Sequence, residues 1–173
     1  MTQPADGREP VHSWARLGSQ QPLARVVGDE EHAATVMRVK LPSVTRSASL
    51  ARILVAAVLD GRGVDEESVG DLVLAVSEAS SNAIEYGTGR HLDLCIEVDH
   101  GGCLVSVSNA IEGAPTIGVG SNTPAGTGLD ASMPAAIATR GRGIAIIDTV
   151  MDDVAIQVVG QRCIVEMYRR LAG

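Results

Sequence analysis

The stretch DLVLAVSEASSNAIEYGTG, residues 71–89, predicts an amphipathic helix with an unusual polar face. At about 100° per residue, its apolar side chains fall on an arc of roughly 140°, with a polar stripe of about 60° opposite. The stripe has no lysine or arginine and consists of Asp71, Glu78, Asn82 and Glu85. Carboxylate and carboxamide oxygens suit a hard cation such as Mg²⁺. On spacing alone, the alternative is a solvated acidic face on an ordinary core helix.

Composition and charge exclude several classes of function. The chain has 173 residues, enough for one domain with a proper core. Its formal net charge is −7 and Lys40 is its only lysine, which disfavours binding to nucleic-acid phosphates or to anionic membranes. Its aromatic residues are one Trp and two Tyr, too few for base stacking. We therefore expect no direct contact with nucleic acid or membrane.

The cysteines and the N-terminus bear on the cellular compartment. Cys95, Cys103 and Cys163 are odd in number and form no C-x-x-C pair, which predicts reduced thiols in strands rather than disulfides or a zinc site. The polar N-terminus has no basic patch followed by an apolar run. The longest apolar stretch, residues 50–59, contains Arg52 and is too short to span a bilayer. These features predict a soluble, cytoplasmic protein.

Hydrophobic periodicity predicts a tail and one domain. Residues 1–32 carry Pro, Gly, Gln and mixed charge without a period, which predicts a disordered or loosely attached tail, with Trp14 and Leu17 as a possible partner-binding segment. In the domain at residues 33–173, strands are predicted at 34–41, 91–98, 103–108, 154–159 and 163–168. Helices are predicted from 43 to 59, from Asp65 to 86 and from 144 to 151.

The order of these elements indicates the fold class. The sequence β-α-α-β-β-loop-α-β-β predicts an α+β, two-layer α/β sandwich with a mixed, mostly antiparallel sheet and helices on one face. Ser43 or Ser47 is expected to cap the first helix and Asp65 the second. The irregular stretch at about residues 110–140 predicts a lid or binding loop, with a short helix at 130–138 as an option. Gly126 and Gly128 within it either flank phosphates or act as a hinge.

Three groups of polar or glycine residues are candidates for chemistry. Glu78 and Asn82, at i and i+4, point the same way, so a carboxylate that can deprotonate a hydroxyl lies beside an amide oxygen that can ligate Mg²⁺. Asn109, at a strand end, either receives the edge of a base or forms a turn. The third group opens a helix, where backbone N–H groups can approach phosphates, and consists of Arg140, Gly141, Arg142, Gly143 and Ile144. Taken alone, such a G-x-G is more often a flexible loop returning to a helix.

Three segments in this order resemble a known family. They are SEASSNAIEYG at residues 77–87, VSVSNAIEGAP at 105–115 and RGRGIAIIDTVMDDV at 140–154. Together they resemble the Bergerat-type ATPase domain shared by histidine kinases, gyrase and Hsp90, over residues 34–171. The S-E-x-x-x-N-A-I core and the G-R-G-I helix look most like its small anti-sigma factor serine kinase branch.

The resemblance implies roles for particular residues. Glu78 corresponds to the general base, Asn82 to the residue that holds Mg²⁺ on ATP, and residues 141–143 to the turn around the phosphates. Kinases of this branch bind a sigma factor and phosphorylate a serine of an anti-anti-sigma antagonist, and the sigma factor is sequestered when the antagonist is phosphorylated. They are typically homodimers that take part in transcription regulation and stress response.

The chain departs from the family pattern at the middle motif. Asn109 replaces the family's adenine-binding aspartate and Ile111 replaces the first glycine, whereas Gly113 keeps the second. An Asn carbonyl still accepts a hydrogen bond from the adenine amino group, but without the charge that roughly doubles its strength. Tyr86 stands where the family frequently has His, and the last turn, from Gly160 to Cys163, lacks the usual threonine. We therefore expect an ATP-dependent protein serine/threonine kinase, with a non-catalytic protein-binding regulator of weakened or lost nucleotide site as the alternative.

Overall fold

The computed structural model describes residues 14–16, 23–25, 35–112 and 141–171. The elements along the chain are β1 (Trp14–Arg16), β2 (Leu23–Arg25), β3 (Thr35–Pro42), α1 (Arg46–Asp60), α2 (Glu66–Tyr86), β4 (His91–Val98), β5 (Gly102–Ala110), α3 (Gly141–Val150), β6 (Asp153–Val159) and β7 (Arg162–Arg170). From β3 onward, this order is the one predicted from the sequence.

Strands β3 to β7 form one sheet in the order β3-β4-β5-β7-β6. Each neighbouring pair is antiparallel. The predicted α+β class is thereby confirmed, but among the described residues the sheet is purely antiparallel rather than mixed. Strands β1 and β2 form a separate two-stranded antiparallel sheet within the predicted tail.

The three helices pack on one face of the sheet, and α2 is the central one. It contacts α1 and α3 as well as β4, β5 and β7. Its predicted apolar arc is buried or half-buried, whereas Leu74, on the polar side, is exposed. The largest side chains of the core that it covers are aliphatic and include Leu72, Val76, Leu94, Ile96, Val105, Val107, Ile147 and Met167. A core without Phe or Trp therefore forms from aliphatic side chains of the helices and the inner sheet face.

The ends of α2 follow the predicted chemistry. The side chain of Asp65 accepts a hydrogen bond from the Ser68 backbone N–H at 2.8 Å, and this bond lowers the pKa of Asp65. The helix ends at Tyr86, where the Gly87 N–H donates to the Ala83 carbonyl oxygen. Both ends of α2 thus lie where the sequence predicted them.

Several predicted boundaries are wrong. Neither Ser43 nor Ser47 caps α1: Thr45 precedes the helix without a side-chain cap bond, and Ser47 is buried inside its first turn. Strand β5 continues to Ala110, so Asn109 lies within the ladder, paired with Leu92 and Cys163. Helix α3 begins at Gly141, three residues earlier than expected. Helix α1 thus begins later than predicted, whereas pairing with β7 extends β5 and packing against α2 accompanies the longer α3.

The thiols agree with their predicted structural role. The three cysteines are free, and Cys103 and Cys163 are buried. Burial raises the pKa of the Cys103 thiol to about 12, so this thiol stays protonated at neutral pH. Within the described part of the chain, none of the helices is long and apolar enough to cross a membrane.

Candidate functional site

The polar stripe of α2 divides into residues with different surroundings. Asp71, in the first half of the helix, forms an ion pair with Arg169 of β7, with 2.9 Å between Oδ2 and Nη2. Both side chains are 23% exposed, so this pair holds α2 on the sheet. Glu78 and Asn82 instead face the start of α3, and both are half-buried. The predicted stripe is therefore one supporting residue, Asp71, followed by a separate pair, with Glu85 exposed beyond it.

Gly143 brings the start of α3 against that pair. A Cβ at residue 143 would lie 3.0 Å from Glu78 Oε2, 3.2 Å from Asn82 Nδ2 and 3.6 Å from Asn82 Oδ1. Any other residue at this position must displace one of the two side chains. Glycine here permits the main chain itself to reach the carboxylate and the amide. The two motifs predicted from separate segments are thus in direct contact.

Helix α3 presents its N-terminus at this contact. The first four N–H groups of an α-helix have no partner within the helix, and the dipole makes this end favourable for anions. In α3 they belong to residues 141–144, so the predicted glycine turn is the first turn of the helix itself. The site therefore combines oxygen ligands from α2 with anion-binding N–H groups from α3. That combination suits a phosphate that carries a divalent cation.

The metal-binding capacity of the pair is limited. Among the described residues, no three His, Cys, Asp or Glu side chains cluster as a metal site. Nor do Glu78 and Asn82 form a hydrogen bond or ion pair with other described side chains. One amide oxygen and one carboxylate cannot complete the octahedral shell of Mg²⁺, which commonly takes phosphate and water as its remaining ligands. The donor set therefore fits a metal that arrives with a nucleotide.

The C-terminus of α2, just beyond Asn82, meets the end of β5. Asn109 is 6% exposed, and its Nδ2 donates a hydrogen bond to the Ala110 carbonyl oxygen at 3.1 Å. The same oxygen accepts the Thr88 N–H at 2.9 Å. A Cβ at Gly87 would lie 2.4 Å from the Ala83 carbonyl oxygen and 2.7 Å from Asn109 Nδ2. Gly87 thus allows the strand end to approach the helix end closely.

The predicted site residues fall into three sets. Glu78, Asn82 and Gly143 lie together, and Ile144 is half-buried in the same first turn of α3. Gly141 and Arg142 are in that turn by their backbone. Asn109 lies just beyond the C-terminus of α2, at the contact with Gly87. Gly113, Arg140, Gly126, Gly128 and most of the predicted lid lie outside the described residues.

Two important residues were not singled out from the sequence. Gly87 directly follows the predicted end of the second helix, and no further role is predicted for it from the sequence. Its lack of a Cβ matters because Asn109 packs against it. Arg169 was not expected to bind Asp71, since pairing between β7 and α2 is not visible in local spacing.

Comparisons with known proteins agree with this geometry. The family described as "Histidine kinase-like ATPase domain" matches residues 41–169, which include α2, the end of β5 and α3. The chain therefore belongs to the histidine kinase-like ATPase family. No curated protein matches it significantly.

Solved structures support the same fold. Thirteen chains of solved structures match. One of them is the crystal structure of the RsbU and RsbW domains of Rv1364c from Mycobacterium tuberculosis, with a TM-score of 0.57 and 16% sequence identity. The match covers 79% of this chain but 32% of that one, so this chain spans about a third of that larger protein. At this identity the likeness concerns the fold.

Proposed function

We propose that the protein binds ATP with Mg²⁺ and is a serine/threonine kinase that regulates a sigma factor. The contact of Gly143 with Glu78 and Asn82 is the observation that carries this proposal. It joins a candidate base, a candidate metal ligand and a helix N-terminus within one site, on a chain of an ATPase family. Phosphoryl transfer needs mainly positioning and charge stabilisation, which are the functions these groups can supply.

The two side chains of α2 have distinct roles in this proposal. Asn82 would hold Mg²⁺ through its amide oxygen, and a metal bound there neutralises part of the phosphate charge. Because that ligand is neutral, it adds no repulsion against the phosphates. Glu78, one helical turn earlier, would orient the acceptor serine hydroxyl and accept its proton. The N–H groups at the start of α3 would bind phosphate oxygens.

The proposed partners follow from the anti-sigma kinase resemblance and from the RsbW domain in the matching structure. The acceptor is a serine on an anti-anti-sigma antagonist, and the sigma factor is held when that antagonist is phosphorylated. The resemblance further supports a homodimer acting in the cytoplasm, in a stress response.

A transfer assay tests the kinase proposal. Purified full chain is incubated with γ-labelled ATP, Mg²⁺ and candidate anti-anti-sigma proteins from the same organism, with acceptor serine-to-alanine versions as controls. Glu78→Gln should reduce transfer by about a hundredfold or more while leaving ATP affinity unchanged, because it removes only the proton acceptor. Asp71→Asn, on the same helix face, should leave the rate unchanged. Transfer by Glu78→Gln at the wild-type rate would contradict the proposed role of Glu78.

Asn109 supports a second candidate function, a non-catalytic regulator that binds its partner without turning over ATP. The Asn109 NH₂ group donates a hydrogen bond to the Ala110 carbonyl oxygen, and the neutral amide offers no charge to an adenine base. In that case the chain captures a sigma factor equally well with and without ATP, and no antagonist becomes labelled. Nucleotide-dependent capture together with labelled antagonist would instead support the kinase.

A further inference from the structure

The sheet has a second apolar cluster on the face opposite the helices, which we call the outer face. Leu104 of β5 and Tyr168 of β7 are paired in register there, and Ala155 of β6 packs against them. None of the three described helices lies on this face, because the main core is formed by the alternate residues of the same strands. Leu104 and Tyr168 are nonetheless only 7% and 6% exposed.

This burial is greater than the sheet alone provides. An antiparallel sheet with one open face leaves the outward side chains in contact with water. Other residues of the outer face behave in that way: Val36 and Val159, on the edge strands β3 and β6, are 45% and 60% exposed. Ser106 and Ile164, on the same central strands as Leu104 and Tyr168, are half-buried. The low exposure of Leu104 and Tyr168 therefore indicates that chain outside the sheet covers the centre of the face.

The N-terminal segment is attached to the sheet nearer to this cluster than residues 113–140 are. Strand β3 begins at Thr35, which pairs with Val98 beside the β4–β5 turn, at the end of the sheet that contains Leu104. Residues 113–140 instead leave from the Asn109 end of β5, about 17 Å away along the strand.

The N-terminal segment is also long enough to reach the cluster, and its two-stranded sheet requires packing against other residues to be stable. The nine residues between β2 and β3 can extend to about 30 Å, whereas β3 and β7 are roughly 15 Å apart across the sheet. Strands β1 and β2 have three residues each, and an isolated two-stranded sheet is at best marginally stable in water. Packing on an apolar patch supplies the stability that such a small sheet lacks.

One buried carboxylate beside the cluster is opposite in charge to the N-terminal segment, and Arg170 also lies near Tyr168. Glu166, next to Tyr168 on the outer face, is 9% exposed and accepts a hydrogen bond from Gln157 Nε2 at 3.2 Å. Residues 10–27 include Arg16 and Arg25 and contain no Asp or Glu. A buried carboxylate is stabilised by a nearby cation. We propose that residues 10–27 of the same chain dock on the outer face over Leu104 and Tyr168.

Trp14 provides a direct test because it is the only tryptophan and lies in the proposed docking segment. In the full chain, Trp14 fluorescence should be blue-shifted and protected from acrylamide relative to the chain in urea. Leu104→Asn should abolish the protection, whereas Val159→Asn, a matched change at an exposed position of the same face, should not. Protection that survives Leu104→Asn in a folded chain would overturn the proposal.

Trypsin gives a second readout that does not depend on Trp14. Cleavage after Arg16 and Arg25 should be about tenfold faster in Leu104→Asn than in Val159→Asn, because cleavage tracks the undocked population. Cleavage after Arg8 serves as the internal control and should not change. Circular dichroism checks folding, and if Leu104→Asn unfolds, Leu104→Ala replaces it with the same expected direction.

The same measurements distinguish the N-terminal segment from a second copy of the chain as the occupant of the outer face. If protection of Trp14 disappears on dilution together with a dimer seen by sedimentation, the outer face binds a second copy and the proposal is wrong. If wild-type Trp14 is quenched as readily as in urea, the segment is not docked and the proposal is likewise wrong.

Discussion

Two close contacts of α2 each depend on a glycine, but the glycine belongs to α3 in one contact and follows α2 in the other. At the first contact, α2 supplies the side chains of Glu78 and Asn82, and the glycine is Gly143 of α3. At the second, α2 supplies Gly87, and the side chain is Asn109 of β5. Among the described residues, the first pair forms no hydrogen bond with another side chain, whereas Asn109 donates to Ala110.

In the proposed function, this difference separates the region that binds the ligand from a region that stabilises the fold. Polar groups in a tight contact that stay uncommitted within the protein are available to a ligand, and pre-positioning them lowers the cost of binding. A buried amide that already satisfies a main-chain carbonyl chiefly stabilises its own turn. Substitutions near Gly143 should therefore change nucleotide affinity, whereas those near Gly87 should change the free energy of unfolding.

Gly87→Ala should give the largest effect on stability. The new Cβ would lie 2.4 Å from the Ala83 carbonyl oxygen, and a main-chain atom cannot move away cheaply. We expect a loss of about 2–3 kcal/mol in the free energy of unfolding, measured by urea denaturation. Gly70→Ala is the matched control in the same helix, where the Cβ meets nothing within 4 Å, and should stabilise by about 0.5–1 kcal/mol. Equal free energies of unfolding for the two variants would contradict the claim that Gly87 is required for the close contact between α2 and β5.

Gly143→Ala should mainly affect the ligand. Its Cβ would press on Glu78 Oε2 and Asn82 Nδ2, which are side-chain ends that can rotate away. We expect ATP–Mg²⁺ affinity to fall at least about tenfold, or 1.4 kcal/mol, with a smaller change in unfolding free energy than for Gly87→Ala. Calorimetry and urea denaturation on the same samples measure both. A variant that binds ATP normally would show that residue 143 is not at the site.

Asn109→Asp sharpens the comparison because it restores the family's residue. The carboxylate cannot donate to the Ala110 carbonyl, so stability should fall by about 1–2 kcal/mol. The same charge should strengthen the bond to an adenine amino group, so ATP affinity should rise. Opposite changes in the two measurements are the expected result, and a parallel loss of both would argue against a base site at residue 109.

Asp71→Asn should give the smallest effect. It weakens the half-buried ion pair with Arg169, and we expect a loss of about 1 kcal/mol or less in stability. ATP affinity should remain at the wild-type value, because Asp71 lies two helical turns before Glu78. A clear loss of affinity in this variant would mean that the whole stripe, rather than its second half, binds the ligand.

Periodicity predicted the helices and strands well but not their contacts. The alternation in residues 91–98 gave β4 at the observed bounds, and Asp65 and Gly87 marked both ends of α2. The extensions of β5 to Ala110 and of α3 to Gly141 depend on partners that local patterns do not contain. Pairing with β7 adds Asn109 and Ala110 to the ladder.

The candidate site was predictable in its residue types but not in its arrangement. Spacing placed Glu78 and Asn82 on one face, and the resemblance connected them with residues 141–143. That Gly143 touches both side chains, and that Asn109 faces Gly87, follows from helix and strand packing in three dimensions. Asp71, on the same predicted stripe, turned out to bind Arg169 because β7 passes beneath the start of α2.

A calorimetric titration of the full chain with ATP, with and without Mg²⁺ and beside Asn82→Ala, tests the central claim most directly. We expect the wild type to bind ATP, and its affinity should fall at least about tenfold when Mg²⁺ is omitted or Asn82 is replaced. Binding that is indifferent to both changes would contradict the metal role of Asn82. No heat at millimolar ATP would contradict the nucleotide site itself.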